Sequence, residues 1–137
     1  MFGKKKQPPV KSLIAHGTSV RGLIEFQEGL RIDGEVTGDI LAAPGKSSLL
    51  VVSESARVTG QIQADHVVIN GEVVGPVMAR ELLELQPTAR IRGDVSYGGL
   101  EMHQGATISG KLQPLDGSEA GGEQGEKPLL SLASKAG

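Results

Sequence analysis

The residues of this chain that could do chemistry lack the spacing that ligand binding requires. Gly45-Lys46-Ser47 matches the end of a phosphate-binding loop, but Ile40 occupies the position five residues earlier where that signature needs glycine. No amphipathic helix is predicted to follow the segment and direct backbone amides at a phosphate. The motif therefore predicts no nucleotide site.

The histidines and carboxylates are equally dispersed. The repeat described below places His16 and His103 five rungs apart, about 24 Å at ~4.8 Å per rung, which is too far for shared metal coordination. His66 falls on a different corner, and we expect all three histidines at the surface. The chain has no cysteine, which excludes disulfides and thiol chemistry. We predict no catalytic residue, cofactor or metal.

Composition narrows the class of protein further. The net charge of -2 and the lack of a basic surface argue against nucleic acid as a partner. No apolar run approaches the length of a membrane span, and no signal peptide is evident, so we expect a cytoplasmic location. Aromatic residues make up 2% of the chain and glycine 20 of its 137 residues. Such a composition favours a narrow solenoid over a conventional globular core.

A repeat organises the middle of the chain. The pattern apolar-x-Gly-x-apolar occurs six times, with glycines spaced from 15 residues (Gly60 to Gly75) to 22 (Gly38 to Gly60). Between copies, apolar residues alternate with polar ones, as in Leu30–Ile40, which predicts strands of three to five residues with one buried face. Stacked coils of an all-β parallel β-helix with about six rungs accommodate this period. We place the β-helix at residues 12–112, between disordered tails at 1–11 and 113–137.

The glycines are predicted to form corners where a side chain would not fit. Asp33-Gly34 and Asn70-Gly71 suggest compact turns whose residues tolerate positive φ. Stacking also predicts an outer ladder of alternating charge along Glu35, Arg57, Glu72 and Arg90. The predicted corner glycines are Gly22, Gly34, Gly38, Gly60, Gly71, Gly75, Gly93 and Gly110.

The repeats, the motif Asp33-Gly34-x-Val36-x-Gly38-x-Ile40 and the opening segment 17–22 together resemble the bactofilins, polymer-forming bacterial cytoskeletal proteins. The resemblance covers about residues 12–112. It implies a right-handed, three-faced β-helix and filaments that form without nucleotide beneath the inner membrane, supporting cell shape or recruiting cell-wall synthesis or hydrolysis proteins. The first six residues are similar to the membrane-targeting N-terminus of many members. Anionic lipid would be bound by Met1, Phe2, Lys4, Lys5 and Lys6.

The ends of a solenoid leave strand edges unpaired, which favours a homopolymer. We hypothesise that like ends stack through residues of the first and last rungs, namely Ile14, Val20, Leu100, Met102, Ile108 and Leu112. Three alternatives stay open. The tails could cap the ends, or the chain could be a monomeric adaptor. A left-handed acyltransferase-like enzyme is the third, because Ile14, Val20 and Phe26 are six residues apart, although the short turns break that hexad. Residues 128–132 form an apolar cluster for which two interpretations stay open: a tail without function, which we favour, and a small docking segment.

Overall fold

The computed structural model describes residues 10–115, and within that range every regular element is a β-strand. The strands are short, and they follow one another with few intervening residues. In chain order they are β1 (Ser12–Ile14), β2 (Ser19–Arg21), β3 (Ile24–Phe26), β4 (Gly29–Ile32), β5 (Glu35–Thr37), β6 (Ile40–Ala42), β7 (Leu49–Val52), β8 (Arg57–Thr59), β9 (Ile62–Ile69), β10 (Glu72–Val74), β11 (Val77–Leu85), β12 (Arg90–Arg92), β13 (Val95–Met102), β14 (Thr107–Ser109) and β15 (Leu112–Pro114).

The strands stack into three faces, and the strands within each face run parallel to one another. The chain crosses every face once per turn. Face A contains β1, β4, β7 and the C-terminal halves of β9, β11 and β13. Face B contains β2, β5, β8, β10, β12 and β14. Face C contains β3, β6, the N-terminal halves of β9, β11 and β13, and β15. The predicted all-β solenoid of about six turns is confirmed.

Three strands are longer than the sequence pattern predicted. β9 and β13 have 8 residues and β11 has 9, because each of them continues from face C around the corner into face A. Pairing on the two sides of that corner is interrupted by a register shift between Ala79 and Leu82. The prediction of three to five residues per strand was therefore wrong here, since the corner is too short to break the strand.

The core consists of apolar columns that run along the solenoid axis. On face B a single column is filled by one valine or isoleucine from each turn, and its inner members Val36, Val58 and Val73 are fully buried. Leu30, Ile32 and Ile40 are buried as the alternation predicted. Each such side chain contributes about 1.5–3 kcal/mol when it is removed from water. Stability is thus shared between neighbouring turns, as in other repeat proteins.

Glycine marks the corner between faces B and C in all six turns. Gly38, Gly60, Gly75, Gly93 and Gly110 have φ values between 140° and 158°. A Cβ at any of them would lie between 2.0 Å and 2.5 Å from the carbonyl oxygen of the corner glycine one turn earlier. The first of the series, Gly22, belongs to the first described turn, and a Cβ there would meet nothing within 4 Å.

Gly34 and Gly71 are required for a different reason than the one predicted. Neither glycine has a positive φ, and neither do Asp33 and Asn70, so the expected positive-φ turn was wrong. A Cβ on Gly34 would lie 2.4 Å from the carbonyl oxygen of Thr18, because this two-residue corner sits against a longer corner of the preceding turn. Close approach of backbone to backbone, and not turn conformation, selects glycine at these two positions.

Candidate assembly surfaces

The two ends of the solenoid present unpaired strand edges. Within residues 10–115, β1, β2 and β3 pair only with the second turn, through β4, β5 and β6. At the other end, among the residues that the structure describes, β14 pairs only with β12, and β15 only with β13. The outward backbone amide and carbonyl groups of these strands have no ladder partner within residues 10–115, so each end is a template for further strands.

The apolar columns are also open at both ends. Leu85 and Met102 are register partners in the fifth and sixth turns, and exposure rises from 0% to 37% between them. Val95 and its partner Leu112 show the same step, from 0% to 36%. The other predicted end residues, Ile14, Val20, Leu100 and Ile108, are partly buried and pack against the core cluster.

The structure adds end residues that sequence reasoning missed. Ile24 lies at the first turn in register with the fully buried Ile40, and it is only partly buried. Its place as the last apolar residue of the first repeat was the signal that could have identified it. Leu13 and Leu23 face outward from the same turn, with 57% and 61% exposed. The first turn therefore carries more apolar residues than Ile14 and Val20, the two that were predicted for it.

The predicted membrane-binding residues Met1, Phe2, Lys4, Lys5 and Lys6 lie outside the described residues, as does the apolar segment at 128–132. The described chain begins beside a small charged cluster. Lys11 Nζ lies 2.9 Å from a carboxylate oxygen of Glu28, and Lys46 Nζ lies 3.9 Å from the other oxygen. Hydrogen bonding and charge from Lys11, with a smaller contribution from Lys46, lower the pKa of Glu28. The base of the N-terminal segment is thereby linked to the loop at 43–48.

The predicted charge ladder lies on face B. Glu35, Arg57, Glu72 and Arg90 occupy the same position in four successive turns, which confirms their predicted register. Arg57 Nε lies 3.3 Å from a carboxylate oxygen of Glu72, and both side chains are substantially exposed. An exposed pair of this kind contributes only about 0.2–1 kcal/mol. Its sign pattern nevertheless favours this register over a slipped one.

Ser48, Asp65 and His66 come together at the corner between faces C and A, in an arrangement that differs from a catalytic triad. The Ser48 hydroxyl donates to Asp65 Oδ2 at 3.2 Å and accepts from the Asp65 backbone N–H at 2.9 Å. The hydroxyl proton is thus directed at a carboxylate and not at the imidazole that a nucleophilic serine needs. Asp65 also accepts from Arg80 Nε at 2.8 Å. These bonds fasten one turn of the corner to the next.

His66 is buried, with 9% exposed, so its predicted surface position was wrong. It stands on the outer side of face A in register with Leu49 and Leu82, which flank it in the adjacent turns. Its Nε2 lies 3.8 Å from a carboxylate oxygen of Glu84. Neighbouring outward side chains, which a single-turn pattern does not reveal, cover the ring.

The segment Gly45-Lys46-Ser47 belongs to the loop between β6 and β7, where a shallow depression is lined by Gln27, Glu28, Ala43, Pro44, Gly45 and Lys46. Lys46 is directed toward the Glu28 carboxylate, which makes the depression a poor site for phosphate. Among residues 10–115, no three histidine or acidic side chains are grouped closely enough to hold a metal ion. The same residues contain no helix long and apolar enough to span a bilayer.

A stack of parallel turns with an apolar core exposed at both ends defines a β-solenoid suited to self-association. The family model for bactofilins, described as polymer-forming cytoskeletal, matches residues 12–113. The chain therefore belongs to the bactofilin family of polymer-forming cytoskeletal proteins, as its repeats and Asp-Gly motif predicted.

Two curated relatives agree with this assignment, and both come from Myxococcus xanthus (strain DK1622). Bactofilin BacO is 33% identical over 89 residues, which cover 59% of this chain and 71% of BacO. Bactofilin BacP is 28% identical over 111 residues, which cover 81% of this chain but only 44% of BacP. This chain thus spans less than half the length of BacP. No solved structure matches the chain.

Proposed function

We propose that this bactofilin forms filaments by end-to-end stacking of like ends, without nucleotide. The observation that carries the proposal is the step in exposure from Leu85 to its register partner Met102, from 0% to 37%. The same column that is sealed inside the solenoid opens at its last turn. A second copy placed on that end would continue both the column and the strand ladders.

Stacking is favourable because it removes apolar surface from water, at roughly 25 cal/mol per Å², and gives edge backbone groups their partners. Soluble solenoids usually prevent this with polar capping elements. The last described turn instead exposes Met102 and Leu112, and the first leaves Ile14 and Ile24 only partly buried. This favours assembly over the alternative in which the chain is a monomeric adaptor. The tails have little apolar content with which to close the ends. The short turns that break the hexad disfavour an acyltransferase-like enzyme.

We further propose that the N-terminal segment attaches the filament to anionic lipid of the inner membrane. Each of Lys4, Lys5 and Lys6 contributes roughly 1 kcal/mol near such a surface, and Phe2 adds about 1.5–3 kcal/mol if well buried. One chain would bind weakly, whereas a filament that presents many copies binds tightly through avidity. The filament would then support cell shape or localise cell-wall enzymes.

Assembly of the purified full-length chain without added cofactor tests the proposal. We expect light scattering to rise above a threshold protein concentration, with filaments in electron micrographs and no effect of added nucleotide. A single soluble species at all concentrations would support the adaptor and contradict the filament.

A further inference from the structure

The charged side chains on the outer side of face A change from basic to acidic along the solenoid axis. Its central outward column contains one residue from each turn, in direct register: Leu13, Arg31, Val51, Val68, Glu84 and Glu101. The basic residue lies toward the first turn, the two valines lie at the middle, and both acids lie toward the last turn.

A second outward column runs beside the first and has a matching change in size. It contains Gly29, Leu49, His66, Leu82 and Gly99 in successive turns from the second to the sixth. Leu49 is 5% exposed yet lies outside the core cluster, so it is covered on the outer side of the sheet. A glycine lies two turns before His66 and another lies two turns after it. This column therefore has large side chains at its centre and a glycine toward each end.

We propose that face A binds face A of a second copy, with the two solenoids antiparallel. The two-fold axis would lie along the strand direction, between the third and fourth turns. It would place Arg31 opposite Glu84 and Val51 opposite Val68 of the second copy. The exposed Leu13 and Glu101 would meet at the two outer edges of the interface. In the neighbouring column Gly29 would face Leu82 of the second copy, so that a small residue receives a large one. Every contact would occur twice, as a two-fold interface requires.

The direction of the charges selects the antiparallel arrangement. In a parallel two-fold pairing each turn meets the same turn of the other copy, which would place Glu84 beside Glu84 and Glu101 beside Glu101. Like charges across an interface suppress such a partner. Arg31 Nε already donates to Asp33 at 2.9 Å, but a guanidinium has five donors, so the others remain for a second carboxylate. Asp33 also holds Arg31 near the outer surface of the face.

The size of the face indicates when pairing occurs. Four residues at ~3.3 Å and five rung steps at ~4.8 Å give an area of roughly 300 Å² per copy. A stable interface buries about 800 Å² per partner, so two isolated subunits would separate. Along two filaments the contacts add through multivalency. The inference thus rests on end-to-end assembly, and it assigns face A as the surface through which filaments associate laterally.

Cross-linking between single-cysteine variants tests the arrangement, because the natural chain contains no cysteine. Filaments would be grown from Arg31→Cys chains, from Glu84→Cys chains and from an equal mixture. Within one filament of stacked ends, the nearest engineered thiols are three rungs apart, ~14 Å. With a thiol cross-linker shorter than this distance, we expect covalent dimers in the mixture and none in either variant alone. Dimers within each single variant would instead show parallel pairing and overturn the proposal.

Charge exchange gives an independent readout by electron microscopy. Arg31→Glu or Glu84→Arg alone should leave single filaments, whereas the double variant R31E/E84R should restore bundles, since the opposite charges face each other again. Glu54→Arg, at an exposed corner, serves as the control and should bundle like the natural chain. If the natural chain forms single filaments and the mixture of cysteine variants gives no cross-linked dimer, lateral pairing is overturned while end-to-end assembly stands. Absence of any filament would instead count against end-to-end assembly.

Discussion

Gly71 lies directly against the carbonyl of Ser53 in the preceding turn. A Cβ on Gly71 would be 2.3 Å from that oxygen and 2.6 Å from the carbonyl oxygen of Ala56. Both obstacles are backbone atoms of a neighbouring corner, so no side-chain rotation can relieve them. The two-residue corner Asn70-Gly71 fits beneath the longer corner only because glycine has no side chain, and this contact fixes the stacking distance there.

Replacing Gly71 with alanine therefore tests the stacking geometry. We expect Gly71→Ala to lower the free energy of unfolding by about 3 kcal/mol or more through forced displacement of the backbone. Gly99→Ala is the matched control, because a Cβ there would meet its nearest atoms at an ordinary 3.4 Å and the glycine has no positive φ. Its effect should be within about 1 kcal/mol, and of either sign. Equal losses for both variants in urea denaturation would contradict the account.

The Arg57–Glu72 pair should contribute little and depend on salt. A double-mutant cycle with Arg57→Ala and Glu72→Ala should give a coupling energy of about 0.2–1 kcal/mol at low ionic strength. Because the side chains are 58% and 32% exposed, added salt should screen most of it. A coupling that survives high salt would mean that the ladder is not a simple exposed ion pair.

Glu28 should make the first turn acid-sensitive. Its pKa is lowered in the folded protein by Lys11, so the stabilisation is present above the ordinary value of 4.5 and is lost as the pH falls below it. Glu28→Gln should remove this part of the decline in melting temperature on acidification. Glu54→Gln, at an exposed corner, is the control. A Glu28→Gln profile as steep as that of the natural chain would contradict the role of Lys11.

Deletion of residues 2–6 should separate assembly from membrane attachment. We expect normal filaments that no longer sediment with liposomes containing anionic lipid, because the basic and aromatic side chains proposed to bind lipid are gone. Neutral liposomes provide the control for non-specific sedimentation. Continued sedimentation of the truncated filaments with anionic liposomes would refute attachment through this segment.

The fold was predictable because its determinants recur locally. Val36, Gly38 and Ile40 show the alternation and the corner within five residues, and the same arrangement returns in every turn, so period and register could be inferred together. The burial of His66 could not be inferred this way. It depends on Leu49, Leu82 and Glu84, which reach the same outer surface from other turns. The reason for glycine at position 34 could not be inferred either, because the carbonyl oxygens that exclude a Cβ there belong to a corner of the preceding turn.

The candidate surfaces also differ in whether they could be predicted from the sequence. Residues such as Met102 and Leu112 could be proposed as end residues because they belong to the last repeat, and the end of a repeat series is visible in a sequence. The antiparallel match on face A requires Arg31 and Glu84 to lie in one column three turns apart. That relation follows only from the strand register, since the two residues belong to no common motif.

End-to-end stacking is tested most directly by charge at Ile108, which points inward on the last turn, against charge at its neighbour Ser109, which points outward on the same strand. Electron microscopy and sedimentation of Ile108→Lys and Ser109→Lys at equal concentration would measure filament length. We predict short oligomers for Ile108→Lys, because a lysine would interrupt the apolar column at the joint, and normal filaments for Ser109→Lys. Filaments of unchanged length from a folded Ile108→Lys chain would contradict assembly through this end.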